Sequence, residues 1–102
     1  MAQIIWSSPA LSDLEEIAEY IALDKVSAAQ KLVKTIFSTV ERLAEFPESG
    51  KFPSEIKSRK HREIIVGPCR IFYRYESEIV YIVYVMRSER EFRKYILNER
   101  EG

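Results

Sequence analysis

The sequence of 102 residues is poor in the residues that carry most recognisable chemistry: it has one cysteine, one histidine and three glycines. With Cys69 alone there is no internal disulfide, and the expected setting is a reducing cytoplasm. One cysteine and the single His61 cannot supply a zinc-type ligand set, so no metal is expected. The three glycines are scattered and form no phosphate-cradling loop, which leaves no cofactor motif. No apolar run reaches bilayer length. The opening MAQIIWSS reads as a first strand rather than a leader, so no membrane partner is expected. Net charge is also lacking, but only in total. Residues 1–50 carry four Lys/Arg against eight carboxylates, a net −4, and the second half carries the opposite excess. That asymmetry points to a nucleic-acid or acidic-protein partner for the second half, or to halves that neutralise each other in the fold.

What is present is ordinary core material, with 46% hydrophobic and 31% charged residues, enough for one domain over 1–102. AQIIW at 2–6 predicts a strand. Ser8 offers a helix cap and Pro9 fits the first turn, where its missing N–H costs nothing. Leu11, Leu14, Ile17, Ala18 and Ile21 then recur at helical spacing, with carboxylates opposite. After Asp24, with Ser27 as a second cap, residues 27–45 predict another amphipathic helix, antiparallel to the first. Residues 47–60, PESGKFPSEIKSRK, read as a long loop, the kind that often carries function. Three strand-like runs follow at 62–66, 69–75 and 79–86, joined by Gly67-Pro68 and Glu76-Ser77-Glu78. Residues 88–98 predict a last helix, with Phe92, Tyr95 and Ile96 on one side. The order β-α-α-β-β-β with a short C-terminal helix defines an α+β fold: a helical hairpin on one face of a twisted, mainly antiparallel sheet.

The strand CRIFYRY at 69–75 threads two arginines through apolar sequence. Alternation puts Cys69, Ile71, Tyr73 and Tyr75 toward the helices and Arg70, Phe72 and Arg74 on the other, open face. Arg62, His61, Lys60, Arg59 and Lys57 precede the sheet; Arg87, Arg90, Arg93 and Lys94 follow it. Converging beside Phe72, Tyr75, Tyr81 and Tyr84, these groups would hold phosphates and stack bases. The plainer reading stands beside it: Arg70 or Arg74 pairs with Glu63, Glu76 or Glu78, the tyrosine-rich strand is core, His61 is a loop residue, and Cys69 is an inert packed thiol.

Three stretches together resemble a known family: SPALSDLEEIAEYIA, AAQKLVKTIFSTVERLAEFPESG and HREIIVGPCRIFYRYESEIVYIVYVMRSER. The chain resembles toxins of the RelE/ParE superfamily, from bacterial type II toxin–antitoxin modules, some of them known only as plasmid-stabilisation proteins. The resemblance implies a cytoplasmic toxin neutralised by a cognate antitoxin. It leaves two targets open, DNA gyrase for ParE-like members and ribosome-bound mRNA for RelE-like endonucleases, and it leaves open a homodimer. The hairpin wording leans toward ParE. For a metal-free nuclease the resemblance implies Arg62, Arg70 and Arg87 as charge stabilisers and Tyr95 as the displaced counterpart of a C-terminal tyrosine. For target or antitoxin binding it leaves Lys60, His61, Arg74, Arg90, Arg93 and Lys94. A third reading, a non-enzymatic RNA-binding module, lacks the glycines of the usual motif.

Overall fold

The computed structural model describes residues 1–101. Its elements run β1 (Gln3–Trp6), α1 (Ser8–Ala22), α2 (Val26–Glu41), a 3-10 turn (Arg42–Ala44), β2 (Arg62–Val66), β3 (Cys69–Glu76), β4 (Ile79–Arg87) and α3 (Lys94–Glu101). The four strands form one sheet in the order β1-β4-β3-β2. β1 runs parallel to β4, and the other two pairings are antiparallel. This is the expected α+β architecture, and no helix among the described residues is long and apolar enough to cross a membrane.

The helix starts differ by a residue from the sequence reading. Ser7, not Ser8, caps α1: its Oγ accepts from the Ala10 N–H at 3.2 Å, and Ser8 is already helical. The chain from α1 to α2 is so short that α2 begins at Val26, ahead of Ser27. Lys25 takes the cap position without a side-chain bond. The hairpin buries Ala10, Leu14, Ile17, Ile36 and Val40 against Cys69, Ile71, Tyr73, Val80, Ile82 and Val85 of the sheet. Alternation in β3 therefore sends the expected side chains to the helices.

β4 does not alternate throughout. Phe72 pairs with Tyr84 but Tyr73 with Ile82, so Val83 is an extra residue in β4. This bulge reverses the phase. Val80 and Ile82 point at the hairpin, Val83 and Tyr84 both point away from it, and Val85 points back. The second face is consequently apolar enough to need its own cover. Phe72, Val83, Tyr84, Met86 and Leu97 form a second core, joined by Ile56, Phe92 and Ile96. The open face expected from the sequence is thus closed by α3 and the loop before β2, and Phe72 is fully buried. The last helix also begins later than 88. A turn in which the Arg90 N–H donates to the Arg87 carbonyl leads into non-helical chain. That path brings Phe92 to 5.1 Å from the Phe72 ring before the helix starts at Lys94.

The bulge has a polar consequence. Beyond Ile82, where β1 gives way to α1, the β4 edge has no strand to pair with. Asp13 of α1 fills that role: its Oδ2 accepts from the Val85 N–H at 3.0 Å. Arg100 of α3 donates to the Val83 carbonyl at 3.0 Å and grips both Asp13 oxygens, at 2.6 and 2.9 Å. One ion pair therefore satisfies the bulge and ties α1, β4 and α3 together.

Candidate functional site

The four arginines singled out in the strands, Arg62, Arg70, Arg74 and Arg87, are each occupied within the fold. Arg70 makes four charge-assisted hydrogen bonds, two to Glu63 at 3.1 and 2.8 Å and two to Glu55 at 2.8 and 2.9 Å. Its guanidinium lies over the rings of Phe72 and Phe92, 5.0 and 5.3 Å from their centroids. The paired carboxylates hold its pKa above the ordinary arginine value, and the Arg70 hydrogen bonds hold the Glu55 carboxyl below the usual range. Two carboxylates around one cation leave this cluster with a net negative charge.

Arg74 pairs with Glu76 and, at 3.0 Å, with Glu101, and stacks over Tyr81 at 4.2 Å. The same Glu101 oxygen takes a 2.8 Å hydrogen bond from His61 Nε2. Burial pushes the His61 pKa below its ordinary value despite that carboxylate, so the neutral ring carries its proton on Nε2. Burial alone would raise Glu101, but the bonds from His61 and Arg74 outweigh it and hold the carboxyl low. His61, the last loop residue before β2, is thus a buried strut between that loop and the end of α3.

Arg62 and Arg87 leave the opposite face of the sheet. Register places Arg62 across from Tyr73 and Arg87 across from Cys69, both residues of the hairpin core. Arg62 donates to the Glu48 and Gly50 carbonyls at 3.0 and 2.9 Å and lies 4.2 Å from the Phe52 ring centroid. With Tyr73, whose hydroxyl donates to the Pro47 carbonyl and accepts from the Gly50 N–H, it anchors the loop after the 3-10 turn. Arg87 pairs with Glu89 at 2.8 Å and covers Tyr20 of α1.

Arg62, Arg70 and Arg87 therefore do not converge. They occupy two faces of the sheet, each closed by its own partners. Tyr95 is 56% exposed and lines neither of the grooves beside α3. Stacking of bases on the sheet is also closed off: Phe72 and Tyr84 are buried, Tyr75 faces the hairpin, and Tyr81 lies under Arg74. Cys69 is fully buried and its thiol pKa is pushed up by desolvation, which keeps it an inert thiol.

The remaining candidates flank α3. Lys60, His61 and Lys94 line a groove of about 590 Å³ between α3 and the loop before β2, together with Lys57. Arg90 and Arg93 line a second groove, about 650 Å³, between α3 and α1, where they meet Glu16, Glu89 and Glu91. Asp13 and Arg100 were not singled out from the sequence, since 87 positions separate them and each reads as an ordinary surface charge. Among the described residues, no group of three or more His, Cys, Asp or Glu has metal-site geometry.

A helical hairpin laid on a four-stranded sheet, with ion-paired arginines in its strands and a C-terminal helix closing the second face, is the RelE/ParE class of toxin fold. Residues 4–92 match the family described as ParE toxin of type II toxin–antitoxin system, parDE. The chain belongs to that family. It is 32% identical over 91 residues to Toxin RelE2 of Caulobacter vibrioides, spanning 88% of this chain and 99% of the relative. It is 37% identical over 90 residues to Putative toxin Y4kP of Sinorhizobium fredii, spanning 88% and 92%. Among solved structures it resembles a chain of the chromosomal ParDE system of P. aeruginosa, with a TM-score of 0.73, 25% identity, and 87% and 98% coverage. It also shares its fold with a chain of the RelBE2 toxin–antitoxin complex of Mycobacterium tuberculosis, with a TM-score of 0.56, 19% identity, and 84% and 96% coverage. The protein is a type II toxin of this superfamily.

Proposed function

We propose that this toxin arrests growth by binding DNA gyrase, in the manner of ParE-like toxins, and that a cognate antitoxin neutralises it. The observation that carries this reading is the dispersal of Arg62, Arg70 and Arg87 over two faces of the sheet, with each guanidinium already held by carboxylates or backbone carbonyls. A metal-free ribonuclease needs cations gathered around one phosphate, with an acid and a base within reach of it. The ion-paired arginines and the buried, Glu101-bound His61 serve the fold instead. The match to the ParE toxin family supports the same target.

A purified preparation added to gyrase and relaxed plasmid should inhibit supercoiling and trap the cleaved complex. Normal supercoiling without trapped cleavage would overturn the reading. The antitoxin partner is supported by the resemblance to a chain of a ParDE system. It is tested by co-expression with the adjacent small open reading frame, which should relieve toxicity and co-purify its product. A second reading, ribosome-dependent mRNA cleavage, draws on the likeness to the relative named Toxin RelE2 and would require Arg70 and Arg87 to leave their present partners.

A further inference from the structure

The groove between α3 and the loop before β2 gathers three lysines on one surface. Lys57 and Lys60 stand on the loop wall and Lys94 at the first turn of α3, all three exposed. Among the described residues none of these ammonium groups has a carboxylate partner, whereas Arg62, Arg70, Arg74, Arg87 and Arg100 all do. Two carboxylates also line the groove, but Arg70 holds Glu55, and Arg74 and His61 hold Glu101. Three lysines against these two carboxylates leave the lining with a net positive charge, and the ammonium groups stand over an apolar floor of Ile56 and Leu97. Neutral donors complete it. Asn98 offers its amide, and the Ser58 hydroxyl, which accepts from the Lys60 N–H, keeps its own proton to donate. The groove on the other side of α3 lacks this character, because Glu16 and Glu91 offset its arginines.

Lysine ammonium groups with neutral donors and no direct carboxylate partner suit phosphate oxygens. The buried state of Phe72 and Tyr84 decides between forms of nucleic acid. Among the described residues the aromatic ring in the lining, His61, is buried and held by Glu101 and offers no open face for an unpaired base, so contact is with the backbone alone, which a duplex presents as a regular track. We propose that the Lys57–Lys60–Lys94 groove is a binding site for the phosphate backbone of duplex DNA. This deepens the gyrase reading: the toxin would grip the DNA segment that its target holds. Only that consequence rests on the reading, since the groove's affinity for DNA belongs to the toxin alone.

The test is fluorescence anisotropy of the purified toxin with a labelled duplex across a salt series. Three phosphate contacts predict a log–log salt slope of about −2.7, and each lysine changed to alanine should lower its magnitude by about 0.9. Lys31→Ala, on α2 across the sheet, should leave the slope unchanged. These exposed lysines carry no packing, so the variants should keep the melting temperature of the parent. Duplex binding that survives the triple change K57A/K60A/K94A would overturn the proposal. So would tighter binding of the equivalent single strand, or of a hexaglutamate peptide, which would assign the groove to an acidic protein segment. Gyrase binding measured without DNA is the separate readout: if it persists while the duplex fails to bind, the groove proposal falls and the gyrase reading stands.

Discussion

Replacing Arg70 with methionine isolates the claim that this arginine is structural. The substitution keeps the aliphatic stem over Phe72 and Phe92 but removes the charge. Glu55 is partly exposed and returns to water at little cost. Glu63 cannot: its side chain is 4% exposed and that of Arg70 only 14%. Removing one partner of such a pair leaves a desolvated carboxylate and costs about 3 kcal/mol. For a domain of this size that lowers the melting temperature by roughly 12–24 °C. Replacing both partners by apolar groups removes the desolvation problem along with the pair, so R70M/E63L should return to within about 1 kcal/mol of the parent. Urea unfolding followed by circular dichroism measures both. An R70M protein as stable as the parent, with the double variant no better, would mean that Arg70 is not committed to Glu63 and is free for a substrate phosphate.

Other perturbations follow from the same geometry. Acidification should destabilise the protein in two stages. His61 has a folded pKa below its ordinary 6.5, so its contribution is complete above about pH 6.5 and is lost as pH falls below that value. Glu101 and Glu55 have folded pKa values below 4.5, so theirs is lost as pH falls further through the folded values. In His61→Phe the first stage should vanish from a plot of unfolding free energy against pH, and its persistence would exclude His61 as the cause. Asp13→Ala orphans the Val85 N–H and unpairs Arg100; it should cost about 2–3 kcal/mol and speed hydrogen exchange at the Val85 amide. At Gly50 an added Cβ would sit 2.5 Å from the Tyr73 hydroxyl and 2.9 Å from the Glu63 carbonyl. Gly50→Ala should therefore destabilise by about 1–3 kcal/mol in chemical denaturation, and an unchanged midpoint would refute the close packing.

The sequence carried the fold's order because its periods are clean: a 3.6-residue stripe in each hairpin helix and alternation in CRIFYRY. It did not carry the bulge, because IVYIVYVM is apolar on both sides and a one-residue phase change in it leaves no polar mark. That omission propagated. Without the bulge the second face read as open, and its aromatics as a surface for bases. Arg70 and Arg74 were visible as residues that needed an explanation, and both explanations were on hand: a site, or pairing with Glu63 and Glu76. Pairing holds in the structure, but Glu55 and Glu101, which complete the two clusters, come from a loop and a helix end whose approach no local pattern encodes. The start of α3 was misplaced for a related reason. SEREFR has helical composition, yet Phe92 gains more by packing on Phe72 than by continuing a helix. The lysine groove is foreshadowed by Lys60 and Lys94 as binding candidates, but that Glu55 and Glu101 beside them pair with arginines instead appears only in the structure.

The proposed gyrase reading has the strand arginines holding the fold together and the toxin acting by binding. The most direct test adds the purified protein to a cell-free translation reaction and maps the message by primer extension. Intact message at toxin concentrations that block gyrase supercoiling is the predicted result. Cleavage within codons, present only when ribosomes are translating, would contradict that reading and assign Arg62, Arg70, Arg87 and Tyr95 a catalytic role.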